Sequence, residues 1–168
     1  MTLSAVARAA GVAVPTVSAV FGSKKGIVAE LLDQARFGQD YQALVRQAMQ
    51  VSDPADRLSF AASIARQIYE SEIPVQSLLR GAGMLAPELA SLESERESER
   101  YEVQGHLIDY LYQARLLQKG LDLRSARDIL WTLTSRDLYR MMVQERGWSA
   151  DKYESWLKQT LHRLLVRP

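Results

Sequence analysis

The sequence has 168 residues, 47% hydrophobic and 24% charged, a composition that excludes a disordered chain and suffices for a buried core. With 21 basic against 20 acidic side chains the net charge is +1, so any nucleic-acid contact must come from a local patch. The absence of cysteine excludes disulfides and thiolate metal sites, and no apolar run approaches the roughly 20 residues that span a bilayer.

No basic segment followed by an apolar one opens the chain, so a cytoplasmic protein without membrane contact is expected. Thr2 can cap a helix from Leu3 to Ala10, on which Leu3, Val6, Ala7 and Ala10 recur at helical spacing. Gly11 stands where a helix ends in the left-handed conformation. Pro15 suits the first turn of a second helix, with Val17, Val20 and Phe21 on its inner side and Gly22 at its end. Two short helices joined by a glycine-containing turn are a helix-turn-helix pattern.

Ser23 caps a third helix. Ile27, Val28, Leu31, Leu32, Ala35, Tyr41, Leu44 and Val45 keep its period, which predicts one long helix from Lys24 to about Gln50. Asp53 and Pro54 open the next, expected to reach Ser71; Pro74 then starts a short helix to about Arg80. A long helix is expected from Pro87 or Ser91 to Gln118, its first half (Leu92 to Glu102) a solvated face carrying Glu93, Glu95, Glu97 and Glu99. Asp122 caps a helix from Arg124 to Arg146, and Ser149 caps the last, from Ala150 to Val166. No alternating strand pattern and no repeat occurs. The expected class is all-α: a helix-turn-helix head over residues 1–36, joined by a long helix to an antiparallel helical bundle over 37–168.

Residues 2 to 32 resemble the DNA-binding head of the TetR family of bacterial transcriptional regulators. The resemblance rests on Val6-Ala7, Ala10-Gly11-Val12, the run Thr16 to Phe21, and Ser23-Lys24. The stretches Asp137 to Arg140 and Glu145 to Ser149, with Tyr153, Trp156 and Leu157, are similar to that family's C-terminal regulatory domain. The resemblance implies that Val14 to Val20 is the recognition helix, presenting Val14, Pro15, Thr16, Ser18 and Ala19 to the major groove. It also implies phosphate contacts from Thr2 and Lys24, with Lys25 able to add another.

Three departures from the family pattern stand out. Ser18 and Val20 replace residues that are usually aromatic, or aromatic or histidine, and the recognition helix holds no Arg, Asn or Gln, the side chains suited to bidentate base contacts. Readout would then rest on hydroxyls, methyl contacts and DNA shape. In addition, the family has one more helix ahead of the helix-turn-helix, and this sequence begins where that helix should have ended. The expectation is a loose head, with Val6, Ala10, Val17 and Phe21 partly uncovered and DNA binding weakened.

Two further features bear on function. Tyr153, Trp156, Leu157, Leu161 and Leu164 form one wide apolar stripe, and Leu130, Leu138, Met141 and Met142 another. Part of each is ordinary core; the surplus is expected to bury in a homodimer built as a four-helix bundle, as the resemblance also implies. Tyr41, Phe60, Ile64, Ile68, Leu79, Met84, Tyr110 and Trp131 are candidates for lining an apolar ligand pocket, with His106 a polar anchor beside Gln104, Asp109 and Arg136.

Gly81 to Ala86 fits GxGxxA, but no strand precedes it, so it reads as a kink rather than a dinucleotide site. No metal-ligand spacing, cofactor motif or catalytic constellation is found, and no enzymatic role is expected. The reading is a ligand-responsive regulator, a repressor, that binds operator DNA as a homodimer and is released by a small apolar effector. The alternative is a dimeric helical ligand-binding or interaction module without DNA-binding activity.

Overall fold

The computed structural model describes residues 2–81 and 86–168, apart from the side chains of 75–81, 86–90, 92 and 93. Leu79 and Met84 therefore lie outside the described side chains. Helices α1 (Leu3–Ala10), α2 (Val14–Phe21) and α3 (Lys24–Arg36) build the N-terminal head. The hydroxyl of Thr2 accepts from the Ala5 amide at 3.1 Å, and that of Ser23 from the Gly26 amide at 3.2 Å. Gly11 ends α1 at φ 66°, a conformation glycine adopts without strain. Ala7, Val17 and Ile27 form the small head core, with Leu3, Val6 and Phe21 around them. Val17, expected to be partly uncovered, is buried by its neighbours in the head; Val6 and Phe21 are half-buried and Ala10 is exposed.

The helix expected from Lys24 to Gln50 is two helices. α3 ends at Arg36, and α4 (Gln39–Gln50) starts after Phe37 and Gly38. Both keep the same apolar period, so the break is carried only by Gly38, whose conformational freedom disfavours a helix interior. The boundary expected between Ser71 and Pro74 does not exist. α5 runs unbroken from Pro54 to Gly81 with Pro74 inside it. A proline there forfeits one helix hydrogen bond, yet α5 is the central helix, packed against α3, α4, α6, α8 and α9.

α6 (Ala86–Gln113) stops short of Gln118. Residues 116–118 instead run beside the C-terminus: the Gln118 amide donates to the Leu165 carbonyl at 2.8 Å and the Arg167 amide to the Leu116 carbonyl at 2.9 Å. The helix expected from Arg124 to Arg146 is also divided. α7 (Leu123–Leu133) gives way to α8 (Arg136–Tyr139) and a π-helical turn, Arg140–Glu145. Thr134 turns its hydroxyl back to the Leu130 carbonyl at 2.7 Å, and the Ser135 hydroxyl caps α8. Such local bonds compete with helix continuation. α9 (Ala150–Leu165) closes the chain much as expected.

The main core lies between α5 and α9. Leu58, Ala62, Ala65 and Tyr69 meet Tyr153, Leu157, Leu161 and Leu165, with Ile108, Leu111, Ala126 and Leu130 filling in. This corrects part of the expected dimer face. Leu130, Tyr153, Leu157 and Leu161 are completely buried within one chain and have no surface to offer a partner. The wide stripe on α9 arises because α9 is packed on by α5, α7 and the π-helical turn together. Only Leu164 and Met141 of the expected set are exposed; Leu138, Met142 and Trp156 are half-buried. No single helix among the described residues is long and apolar enough to cross a membrane.

Candidate functional site

Among the described residues two regions carry chemistry, and α3 belongs to both. In the head, α2 turns Val17 inward and leaves Val14, Pro15, Thr16 and Ala19 exposed, with Ser18 half-buried. Lys24 is exposed at the start of α3. Lys25 is not free for phosphate in this conformation. Its ammonium lies 2.7 Å from Glu95 and 3.1 Å from the Ser91 hydroxyl, both on α6. The Thr2 hydroxyl accepts from the Ala5 amide as the α1 cap, which leaves its own O–H to donate.

Gly26, for which the sequence pattern signals no role, fixes how α2 meets α3. A Cβ at this position would fall 1.9 Å from the Phe21 carbonyl oxygen. Only glycine permits that approach, so α2 sits against α3 by backbone contact.

The second region is a cavity of about 450 Å³ between α4, α5 and α6. Tyr41, Phe60, Ile64, Ile68, His106 and Tyr110 line it, joined by Val45, Ala61, Val103 and Leu107. Trp131 does not. It stands edge-on to Tyr101 with Arg100 over its ring, on a groove between α6 and α7 lined by Glu97, Glu102 and Asp128. Asp109 also turns away, accepting from Arg127 at 2.7 Å. α4 buries no residue completely and forms the outer wall. Met49 at 73% and Val103 at 66% exposure leave apolar surface at the rim.

Arg36, Arg57, Arg96 and Arg100 line the same cavity, and none of the four is among the residues expected there. Arg96 and Arg100 belong to the stretch expected to be a solvated face; they turn inward instead. Arg96 bonds Asp33 and the Ala29 carbonyl of α3. Arg100 donates to the Thr134 hydroxyl at 2.8 Å and the Trp131 carbonyl at 2.9 Å. Arg57 braces the α4–α5 turn through the Val51 carbonyl and lies over the Tyr110 ring.

Arg36 ends α3 inside the protein, 6% exposed, and pairs with Glu72 of α5, which is 1% exposed. Arg136 reaches the other oxygen of Glu72 at 2.8 Å. Burial, then the charges of Arg136 and Arg96, lower the Arg36 pKa to about 10. Nearby, Tyr69 donates to the Thr134 carbonyl at 2.7 Å. The last residue of the head's third helix is thus a wall of the cavity.

No family model matches the chain, and no curated protein matches it in sequence. Solved structures do. The fatty acid degradation regulator FadR from Bacillus halodurans is 17% identical, with 96% of this chain and 83% of that one covered at a TM-score of 0.66. The transcriptional regulator FadR from Bacillus subtilis, solved in complex with stearoyl-CoA, is 16% identical over 96% and 87% at 0.65. The TetR family transcriptional regulator PfmR from Thermus thermophilus is 19% identical over 98% and 88% at 0.60. With its helix-turn-helix head on an all-α body, the chain has the fold of TetR-type transcriptional regulators.

Proposed function

We propose that the protein is a ligand-responsive transcriptional repressor that binds operator DNA as a homodimer. The head, residues 1–36, presents Val14, Pro15, Thr16, Ser18 and Ala19 to the major groove, with Lys24 on a phosphate. The body, residues 37–168, takes a small, largely apolar effector in the cavity between α4, α5 and α6. The observation that carries this reading is the double membership of α3. It packs on the recognition helix at Gly26 and ends in the cavity wall at Arg36. A ligand that fits one setting of α3 better than another shifts the dimer between states with and without DNA affinity, by no more than its differential affinity for them. Leu164 and Met141, with Leu138, Met142 and Trp156 beside them, supply the dimer surface.

The B. subtilis relative holds stearoyl-CoA, whose acyl chain is the small apolar part that a cavity of about 450 Å³ would take, which makes that compound the first effector to try. The test is fluorescence anisotropy on a labelled duplex from upstream of the protein's own reading frame, against a scrambled duplex. The reading expects sequence-specific binding that weakens as salt rises, because phosphate contacts release counterions. Equal binding to both duplexes, or none, would instead favour a dimeric ligand-binding module without DNA-binding activity.

A further inference from the structure

We infer that the end of the cavity farthest from the head, where α4 turns into α5, is an oxyanion subsite. The effector is an amphiphile whose acid group, a carboxylate or a phosphate ester, binds Arg57 and His106 while its apolar body lies along α5 towards Ile68. This rests on the reading of the cavity as an effector site and adds the charge and direction of the ligand.

From Arg57 to Tyr69, α5 runs twelve residues along the cavity, about 18 Å of helix. At the head end the cations are matched: Arg36, Arg96 and Arg100 each pair with a carboxylate, of Glu72, Asp33 and Glu97 respectively. Between the ends the wall is apolar, with Val45, Phe60, Ile64 and Leu107.

Arg57 differs. Among the described residues no carboxylate pairs with it. Asp53, one turn away, caps α5 by accepting from the Ala55 amide at 2.7 Å, and Asp56 is exposed. Backbone carbonyls hold the guanidinium instead. Nε donates to Val51 at 3.1 Å, and Nη2 to Val51 at 2.6 Å and Met49 at 3.5 Å. The group lies over the Tyr110 ring, 4.8 Å from its centre, and Tyr110 is itself fixed by donating to the Ser52 carbonyl at 2.8 Å.

That leaves Nη1, with its two N–H groups, without a partner among the described residues. Arg57 is thus a half-buried cation held in one orientation, with one edge free beside an apolar cavity. A guanidinium fixed in this way loses little freedom on binding an oxyanion, and its charge strengthens the hydrogen bond. His106, one turn before Tyr110 on α6, lines the same cavity and can donate a second bond. His106 and Met49 are both exposed, so an acid head keeps part of its hydration at this end while its chain leaves water.

Titration of the full chain with decanoate, decyl phosphate and 1-decanol, read by calorimetry, tests this. At least one of the two acids should bind about tenfold or more tighter than decanol, the worth of a charge-assisted hydrogen bond, and the tighter acid names the head group. Arg57→Gln should bring that acid-to-alcohol ratio to within about twofold of one. His106→Ala, at an exposed position, should lower the ratio about threefold, and it decides the matter if Arg57→Gln does not fold. Equal binding of acids and alcohol, or an unchanged ratio in the deciding variant, overturns the oxyanion subsite alone. Binding of none of the three overturns it together with the effector-site reading.

Discussion

Arg36, the last residue of the head's third helix, is ion-paired with Glu72 in the interior of the body. Removing one partner of a buried pair leaves an uncompensated charge, and here Glu72 also answers Arg136. Glu72→Ala should therefore cost about 3–5 kcal/mol of stability. Glu72→Gln, which keeps the shape and can still accept, should cost clearly less. Urea unfolding of the two variants against the parent measures both.

Gly26→Ala sets a methyl group against the Phe21 carbonyl, at a distance no real contact tolerates. Backbone must yield, and a loss of about 2–3 kcal/mol is expected. The damage should be local. Hydrogen exchange should accelerate across α1 to α3 and stay unchanged in α9.

Leu161 and Leu164 are one turn apart on α9 and answer different questions. Leu161 is fully buried, so Leu161→Ala should cost about 2–5 kcal/mol through transfer and cavity terms. Leu164 is exposed, and Leu164→Glu should change protomer stability by less than about 0.5 kcal/mol. If the proposed dimer uses this surface, Leu164→Glu with Met141→Glu should halve the mass seen by sedimentation at micromolar concentration. An unchanged mass would place the interface elsewhere.

Glu154 gives a pH signature to the α5–α9 contact. Burial pushes its carboxyl up, but hydrogen bonds from Lys158, Ser63 and Arg66 outweigh that and hold it at about 2. A depressed carboxyl pKa adds stability that is fully present above its unfolded value, near 4.5, and is lost as pH falls through the folded value. The stability difference between the parent and Glu154→Gln should thus shrink as pH falls from 5 towards 2. A difference that stays flat across this window would mean that Glu154 contributes nothing to the contact.

Much of the fold is legible in the sequence because helix ends are written locally. Thr2, Ser23, Asp122 and Ser149 all cap helices by accepting from an amide three residues on. The breaks at Gly38 and at Thr134–Ser135 are harder to read, since the apolar period continues across both. Pro74 misleads in the other direction: a proline signals a boundary, but the packing of α5 carries the helix through. The cavity is half legible. Its apolar wall follows from periodicity, whereas Arg96 and Arg100 sit in a charge-rich stretch whose inward turn depends on partners far away in sequence, Asp33 and Thr134. The α9 stripe looks too wide for one chain only because sequence does not reveal how many neighbours α9 has.

In the proposed function effector and operator are coupled through α3, and such coupling is reciprocal. The decisive measurement is operator affinity with and without saturating stearoyl-CoA, paired with stearoyl-CoA affinity with and without operator. Coupling through α3 predicts that each weakens the other by the same factor, about 5- to 150-fold. Stearoyl-CoA that binds while operator affinity stays unchanged would contradict it.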